Sequence, residues 1–207
     1  MTPSESETTQ LTTSGFTVTD AADNTVLKAH AALERACQRR LPTRIHLPKR
    51  IPPGSGRGGA SSDAAAALRG LKALHHLDDL DLAPIAAQVG SDVPYFLHGG
   101  RMLAEGRGEK LTPLPTKPAT YLVAWPRIEL STTAVYAAWD EVKGDQPNEL
   151  ARAAQHFDNR VREFAEKLGN GWRMTGSGSA FFRETETDDA PDIKVWTTVA
   201  HAVGPWS

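Results

Sequence analysis

A glycine-rich segment that runs directly into a helical pattern constrains this chain more than any other feature. Its backbone is left bare at four positions, which are Gly54, Gly56, Gly58 and Gly59. Glycine adopts the positive φ angles that tight turns need. Residues 61–63 are common helix N-caps, and a leucine then recurs every third position from Leu68 to Leu74. The segment therefore predicts a loop and a first helical turn whose N–H groups bind an anion such as phosphate.

Three phosphate-binding patterns match this segment in part. The spacing of Gly54, Gly56 and Gly59 fits the dinucleotide fingerprint, but residues 47–53 lack the apolar strand that should precede it. The P-loop pattern fails because Ala60 stands where the phosphate-binding lysine is required. The third pattern is a loop without lysine that holds phosphates by backbone N–H groups alone. A flexible linker is the non-functional alternative, and the well-patterned helix that follows disfavours it.

Composition excludes several classes of protein. The chain has 207 residues, 40% hydrophobic and 23% charged, with a net charge of -2, which is typical of soluble globular domains. These values give no reason to expect a nucleic acid or a membrane as partner. Cys37 is the only cysteine, so an internal disulfide and a multi-cysteine zinc site are excluded, and no metal ligand set is predicted. No signal peptide or membrane-spanning run is visible, and we expect a cytoplasmic protein.

Two further glycine-containing segments carry possible chemistry. The first reads Gly90-Ser-Asp-Val-Pro-Tyr-Phe-Leu-His-Gly-Gly100, and the second reads Trp172-Arg-Met-Thr-Gly-Ser-Gly-Ser-Ala-Phe-Phe182. Taken alone, Asp92 in the first segment would be expected to cap or turn a loop, and the second would be expected to form a glycine hairpin.

Together and in this order, the three segments resemble the GHMP small-molecule kinases. Pro52-Pro-Gly-Ser-Gly-Arg-Gly-Gly-Ala-Ser-Ser-Asp-Ala-Ala65 is similar to their ATP-binding motif, with Arg57 where leucine is usual and Ala60 where glycine is usual. In detail the chain resembles the branch that phosphorylates 4-diphosphocytidyl-2-C-methyl-D-erythritol. The resemblance spans about residues 26–207. A kinase for homoserine or mevalonate is a related alternative, which the segment from Gly90 to Gly100 and Tyr136 disfavour.

The resemblance implies an α+β, two-domain GHMP kinase fold. Residues 1–115 would form an incomplete N-terminal ATP-binding domain, of the kind also found in a small-subunit ribosomal protein. Residues 116–207 would form a ferredoxin-like α/β C-terminal domain. A small-molecule substrate, no nucleic acid, no membrane, and a monomer or weak homodimer are expected.

The same resemblance assigns the site residues and the cofactors, ATP and Mg²⁺. ATP would be held by the loop residues Pro52, Pro53, Gly54, Ser55, Gly56, Arg57, Gly58, Gly59, Ala60, Ser61 and Ser62. Asp92 would be the catalytic residue and would act on the proton of the substrate hydroxyl. Contacts to the substrate would come from Thr132, Tyr136, Gly176, Ser177 and Gly178. Tyr136 would stack on the cytosine ring; the alternative is an aromatic of the core.

One family feature has no counterpart in this chain. The family carries an N-terminal Pro-Ala-Lys-Ile-Asn motif followed by Asp-Gly-Tyr-His, and the first ten residues here contain no lysine, aromatic residue or histidine. Lys28 and Lys49 lie inside other elements and do not replace that lysine by position. The chain is therefore expected to lack the first strands of a kinase, either through a late start or as a degenerate copy. A non-catalytic nucleotide-binding remnant is the alternative function.

The patterns also predict local structure. Residues 1–10 are expected to be disordered, and His75 and His76 are expected to place positive charge at a helix end. Strands are predicted at residues 16–19, 44–47, 121–126 and 193–199, and a hairpin at 101–114. Helices are predicted at residues 25–40, 61–76, 80–89 and 148–168, and one beginning near 132.

Overall fold

The computed structural model describes residues 1–3, 8–17, 24–186, 195–202 and 204. The chain divides into two compact units. Of the described residues, the first unit contains 1–50 and 58–116, and the second contains 51–57 and 117–202. The first half of the glycine-rich loop thus belongs to the second unit. Its second half, which opens a helix, belongs to the first.

Within its described residues, the first unit contains a three-stranded sheet, a hairpin and four helices. In chain order the elements are β1 (Thr2–Pro3), β2 (Gln10–Gly15), α1 (Thr25–Cys37), β3 (Thr43–Lys49), α2 (Gly59–Leu74), α3 (Ala83–Val89), α4 (Val93–His98), β4 (Arg101–Glu105) and β5 (Lys110–Leu114). The central strand β3 pairs antiparallel with β1 and parallel with β2. Strands β4 and β5 form the predicted antiparallel hairpin.

The core of the first unit lies among its helices. Alanines and leucines of α1 and α2 face each other, and α3 and α4 close the cluster. The fully buried members are Ala29, Leu33, Leu41, Ala64, Leu68, Leu71 and Ala86. The small alanines let helix backbones approach closely, while burying a leucine contributes about 1.5–3 kcal/mol. The packed side of α2 fixes the direction in which its first turn points.

A polar cluster lies at the opposite end of α2, where the helix ends before His75. The Nε2 atom of His75 is 2.8 Å from the hydroxyl of Thr43, which donates to the carbonyl of Leu41 at 2.7 Å. Burial and neighbouring positive groups hold the pKa of His75 below its usual 6.5. The titratable and charged side chains around it are Arg39, His30, His76 and Glu34. The lowered pKa disfavours the charged form of His75 and so argues against the prediction that His75 brings a positive charge to the helix end.

Within its described residues, the second unit is a four-stranded antiparallel sheet with three helices. Its elements are β6 (Thr120–Trp125), α5 (Thr132–Val142), α6 (Leu150–Phe157), α7 (Asn159–Leu168), β7 (Arg173–Met174), β8 (Phe181–Thr185) and β9 (Trp196–His201). The strand order is β7-β8-β6-β9. The helices cover an apolar cluster whose fully buried members include Ala124, Val135, Ala153, Ala154 and Val161.

Several predicted elements differ from the structure. The helix predicted over residues 148–168 is two helices, because Asp158 ends α6 and caps α7 by accepting from the N–H of Arg160 at 2.9 Å. Phe157, expected inside, is 50% exposed. Residues 2–3 and 10–15 are strands, not a disordered lead-in, and residues 16 and 17 lie outside any strand. Residues 4–7, 18, 19, 193 and 194, for which disorder or a strand was predicted, are outside the described residues. No described helix is long and apolar enough to cross a membrane.

Candidate active site

The first half of the glycine-rich loop is packed tightly in the second unit. Gly54 has a φ of +58°, and a Cβ atom there would lie 2.9 Å from the Leu130 amide nitrogen. That same N–H donates to the carbonyl of Gly54 at 3.1 Å. Pro52 is buried and Pro53 is half-buried. The hydroxyl of Ser55 donates to the carbonyl of Pro52 at 2.7 Å, so it serves the loop itself.

A second glycine loop, between β7 and β8, contacts the first. The carbonyl of Ser55 accepts from the Thr175 hydroxyl at 2.9 Å and from the Ala180 N–H at 3.2 Å. Gly56, with a φ of +67°, could not carry a side chain, since a Cβ atom would lie 2.3 Å from the Thr175 carbonyl oxygen. The glycine hairpin that the sequence predicts for residues 172–182 is confirmed, because this loop joins the antiparallel strands β7 and β8.

Arg57 is the last loop residue that belongs to the second unit. Its guanidinium carbon lies 5.6 Å from the ring centroid of Trp196 on β9, within the range of a cation–π interaction. Burial lowers the pKa of Arg57 from its usual value. Among the described residues, no carboxylate pairs with this guanidinium.

The second half of the loop opens α2 in the first unit. Gly58 is the N-cap, with a φ of +63°, and α2 begins at Gly59 without any side-chain capping bond. Residues 61–63 were predicted to supply the cap; that prediction is wrong, because all three lie inside the helix. Ala60 is also helical and therefore has a negative φ, which explains why it replaces glycine without strain. A Cβ atom on Gly58 would lie 2.7 Å from the ring of Phe96.

The first turn of α2 leaves three backbone N–H groups available to a ligand. The Ser62 N–H donates to the Gly58 carbonyl at 2.8 Å, and the Ser62 hydroxyl donates to the Gly59 carbonyl at 2.8 Å. The N–H groups of Gly59, Ala60 and Ser61 have no acceptor within the described part of the chain. Unpaired N–H groups at the positive end of a helix dipole favour an anion.

Lys49 and Asp63 form an ion pair beside this turn. The Nζ atom of Lys49, at the end of β3, donates to Oδ2 of Asp63. The side chains are 6% and 20% exposed, so both charges are largely withdrawn from water. Their mutual attraction offsets part of the cost of removing each group from water. Asp63 therefore does not oppose an anion at the helix end as an unpaired carboxylate would.

Asp92 stands at the start of the short helix α4 in the first unit. It occupies the N-cap position, but its carboxylate makes no capping bond. The only polar contact given by the described residues is with the Ser91 hydroxyl, 3.4 Å from Oδ1. The side chain is exposed. Of the two structural roles expected for Asp92, the capping bond is absent, while the residue does lie in the turn that precedes α4. The exposed carboxylate is accessible to a substrate.

The remaining predicted site residues lie in the second unit, where two of them meet. The hydroxyl of Thr132, the first residue of α5, is 3.0 Å from the hydroxyl of Ser177 in the second glycine loop. Gly176 and Gly178 flank Ser177 with φ angles of +44° and +83°. The three loop residues and the start of α5 are thus neighbours.

Tyr136 lies one turn farther along α5. Its side chain is 54% exposed, so the alternative of an aromatic of the core is wrong. An exposed aromatic ring near a helix start and a glycine loop is suited to stack on a planar base.

Asn148 is a residue that sequence reasoning passed over. Its amide Nδ2 donates to the carbonyls of Met174 and Gly176, both at 2.9 Å, and its Oδ1 accepts from the Leu150 N–H at 3.1 Å. One side chain therefore joins the start of α6 to both ends of the bend that precedes Ser177. An asparagine at the first position of the predicted helix was the available signal, but its long-range partners lie 26 and 28 residues away.

Comparison with known proteins agrees with this geometry. Residues 24–100 match the family model described as the GHMP kinases N terminal domain. A 4-diphosphocytidyl-2-C-methyl-D-erythritol kinase from Polaromonas sp. is 34% identical over 198 residues, covering 82% of this chain and 64% of the relative. One from Chromobacterium violaceum is 36% identical, covering 80% and 66%. The chain thus spans slightly less than two thirds of these curated relatives.

Solved structures support the same assignment. The crystal structure of a 4-(cytidine 5'-diphospho)-2C-methyl-D-erythritol kinase superposes with a TM-score of 0.74 at 30% identity, covering 95% of this chain and 84% of that one. A homoserine kinase from Cytophaga hutchinsonii, at 17% identity and a TM-score of 0.66, shares the fold alone. The α+β GHMP kinase fold expected from the sequence is confirmed. The chain belongs to the GHMP kinases and, among them, to the family of 4-diphosphocytidyl-2-C-methyl-D-erythritol kinases.

Proposed function

We propose that this chain transfers the γ-phosphoryl group of ATP to the 2-hydroxyl of 4-diphosphocytidyl-2-C-methyl-D-erythritol, in the cytoplasm, as a step towards isoprenoid precursors. The observation that carries the proposal is the start of α2, which has the form of a phosphate-binding site in a chain that belongs to this kinase family. Three N–H groups at residues 59–61 are without an acceptor in the described structure. Phosphate oxygens are the natural acceptors for such groups.

Asp92 is proposed to serve the reacting hydroxyl. Phosphoryl transfer forms a bond from the substrate oxygen to the γ-phosphorus and breaks the bond to the β-bridging oxygen, so ADP leaves. The proton of the hydroxyl has to be accepted or oriented, and an exposed carboxylate with no capping duty can do this. Positive charge for the transferred group would come from the α2 dipole.

Mg²⁺ is expected to neutralise phosphate charge when ATP binds. Within the described residues, no group of three acidic, histidine or cysteine side chains gathers to hold a metal. Asp63 is engaged by Lys49. This arrangement fits an ion held mainly by the nucleotide's phosphates and by water, which is common for Mg²⁺.

In the second unit, Thr132, Tyr136 and Ser177 are proposed to bind the substrate. Tyr136 would stack on the cytosine, and the two hydroxyl groups, 3.0 Å apart, would donate to polar substrate atoms. Stacking on an aromatic ring is worth about 1–3 kcal/mol per base. Replacing Tyr136 by alanine is therefore expected to raise KM by about 5- to 150-fold, while phenylalanine should preserve most of the affinity.

The experiment is ADP release by the purified chain with ATP and Mg²⁺, with and without the diphosphocytidyl-methylerythritol. Asp92→Asn is expected to reduce substrate-dependent release by about 100-fold or more, given the usual contribution of a positioned acid or base. Asp79→Asn is the matched control, since Asp79 is an exposed carboxylate of the same unit. Release that is independent of Asp92, or no release by a folded chain that binds ATP, would refute the proposal. The latter result would favour a nucleotide-binding remnant.

A further inference from the structure

Arg57 places a long cationic side chain in the middle of the glycine-rich loop. It is flanked by Gly56 and Gly58, whose φ angles of +67° and +63° set the path of the backbone on either side. These two positions cannot readily carry other side chains. Arg57 is thus the one side chain longer than a hydroxymethyl group between Gly54 and Ser62.

The guanidinium of Arg57 contacts an aromatic ring. It lies 5.6 Å from the centroid of the Trp196 ring. Trp196 in turn meets Trp125 on the neighbouring strand edge to face, at a centroid distance of 6.4 Å. A cation–π contact of this kind uses no hydrogen-bond donor of the guanidinium. The N–H donors of Arg57 are therefore not consumed by the contact with Trp196.

Those donors lack acceptors in the part of the chain that the structure describes. No hydrogen bond and no carboxylate partner is found for Arg57 among these residues, although the side chain is half-buried. Burial lowers its pKa, as expected for a charged group that is partly withdrawn from water. A cation in this condition gains from an anion that brings oxygen acceptors.

We propose that Arg57 binds a phosphate of the nucleoside triphosphate, adding a charged contact to a loop that otherwise offers backbone N–H groups. This inference rests on the proposed function, because the triphosphate is the anion it supplies. Arginine suits the task, since its planar fork can donate two parallel hydrogen bonds to one phosphate. Stacking on Trp196 reduces the conformational freedom that binding would otherwise remove.

Titration calorimetry with ATP, inorganic triphosphate and adenosine tests the role. Arg57→Leu is expected to weaken ATP and inorganic triphosphate by about 10- to 100-fold, the usual scale of charged hydrogen bonds, and to leave adenosine within about threefold. Arg57→Lys, which keeps the charge and loses the fork, should fall between. Arg173→Leu is the matched control, because Arg173 stacks on Phe182 at 4.9 Å in the same unit but is not in the loop. Denaturation curves followed by tryptophan fluorescence verify folding.

Each outcome of these titrations supports or overturns the role of Arg57 in phosphate binding. ATP affinity within threefold of the wild type in a folded Arg57→Leu variant would overturn the inference. Equal losses for ATP and adenosine would also overturn it, because Arg57 would then only anchor the loop on Trp196. A wild-type chain that binds neither ATP nor inorganic triphosphate would remove both this inference and the proposed function. Arg57-dependent ATP binding without phosphoryl transfer would support the inference and refute only the kinase.

Discussion

Replacing Gly56 by alanine tests whether the two glycine loops pack as closely as the structure shows. A Cβ atom at this position would lie 2.3 Å from the carbonyl oxygen of Thr175 and 2.7 Å from both the nitrogen and the oxygen of Gly178. All three atoms belong to backbone, so no side chain can rotate away. The new methyl group is accommodated only if one loop moves.

Two costs add for this substitution. A non-glycine residue in the left-handed region costs about 1–2 kcal/mol. Forcing a methyl group into closely packed surroundings costs about 1–3 kcal/mol more. The free energy of unfolding of the second unit should therefore fall by about 2–5 kcal/mol.

Gly171→Ala supplies the matched control. Gly171 also has a positive φ, +88°, and lies in the same unit, but a Cβ atom there meets nothing within 4 Å. It should show the strain cost alone, about 1–2 kcal/mol. The difference between the two variants isolates the contact between the loops.

The assay is urea denaturation followed by tryptophan fluorescence. Four of the five tryptophans, at positions 125, 139, 172 and 196, lie in the second unit, so the signal reports mainly on that unit. A midpoint for Gly56→Ala about 1 M below that of Gly171→Ala is expected for ordinary urea dependences. Equal midpoints for the two variants would show that the loops are not in contact and would refute the packing.

Two further predictions concern polar groups away from the reacting atoms. The pKa of His75 in the folded state lies below its usual 6.5, so the folded state favours the neutral imidazole. This group therefore contributes its full stabilisation above pH 6.5. The stabilisation is lost as the pH falls from 6.5 through the folded-state pKa. His75→Gln should flatten this part of the curve of unfolding free energy against pH, and an unchanged curve would contradict the assignment. Asn148→Asp keeps the acceptor of the Leu150 N–H but places an oxygen against the carbonyls of Met174 and Gly176. In urea denaturation, its free energy of unfolding should fall by more than the roughly 1–2 kcal/mol expected for Asn148→Ala. A larger fall for Asn148→Ala would contradict these two hydrogen bonds.

The glycine-rich loop and the helix that follows it were predictable because glycine, alanine and leucine carry strong local preferences. The start of α2 was misplaced by two residues, since a left-handed glycine cap leaves no side-chain signal and the serines after it suggested another. The break at Asp158 was hidden for a related reason. The apolar spacing continues across it, so the pattern reads as a single helix although one carboxylate ends α6 and caps α7.

Elements that depend on distant partners were beyond local patterns. Strand β2 is exposed at most of its positions, so it shows no apolar alternation, and it forms because β3 offers a parallel edge. The meeting of Thr132 with Ser177 spans 45 residues, and the contact of Arg57 with Trp196 spans far more. The resemblance assigned the loop residues individually, but it gave no contact between the loops.

The ion pair of Lys49 and Asp63 couples the substitutions that these two positions can accept. A change of Lys49 alone would leave a largely buried, unpaired carboxylate beside the start of α2, and a change of Asp63 alone would leave a largely buried, unpaired ammonium group. Either single step is expected to be selected against, whereas a joint exchange for two apolar residues of similar volume could be tolerated. In a lineage of this chain, the two positions should therefore be kept or lost together.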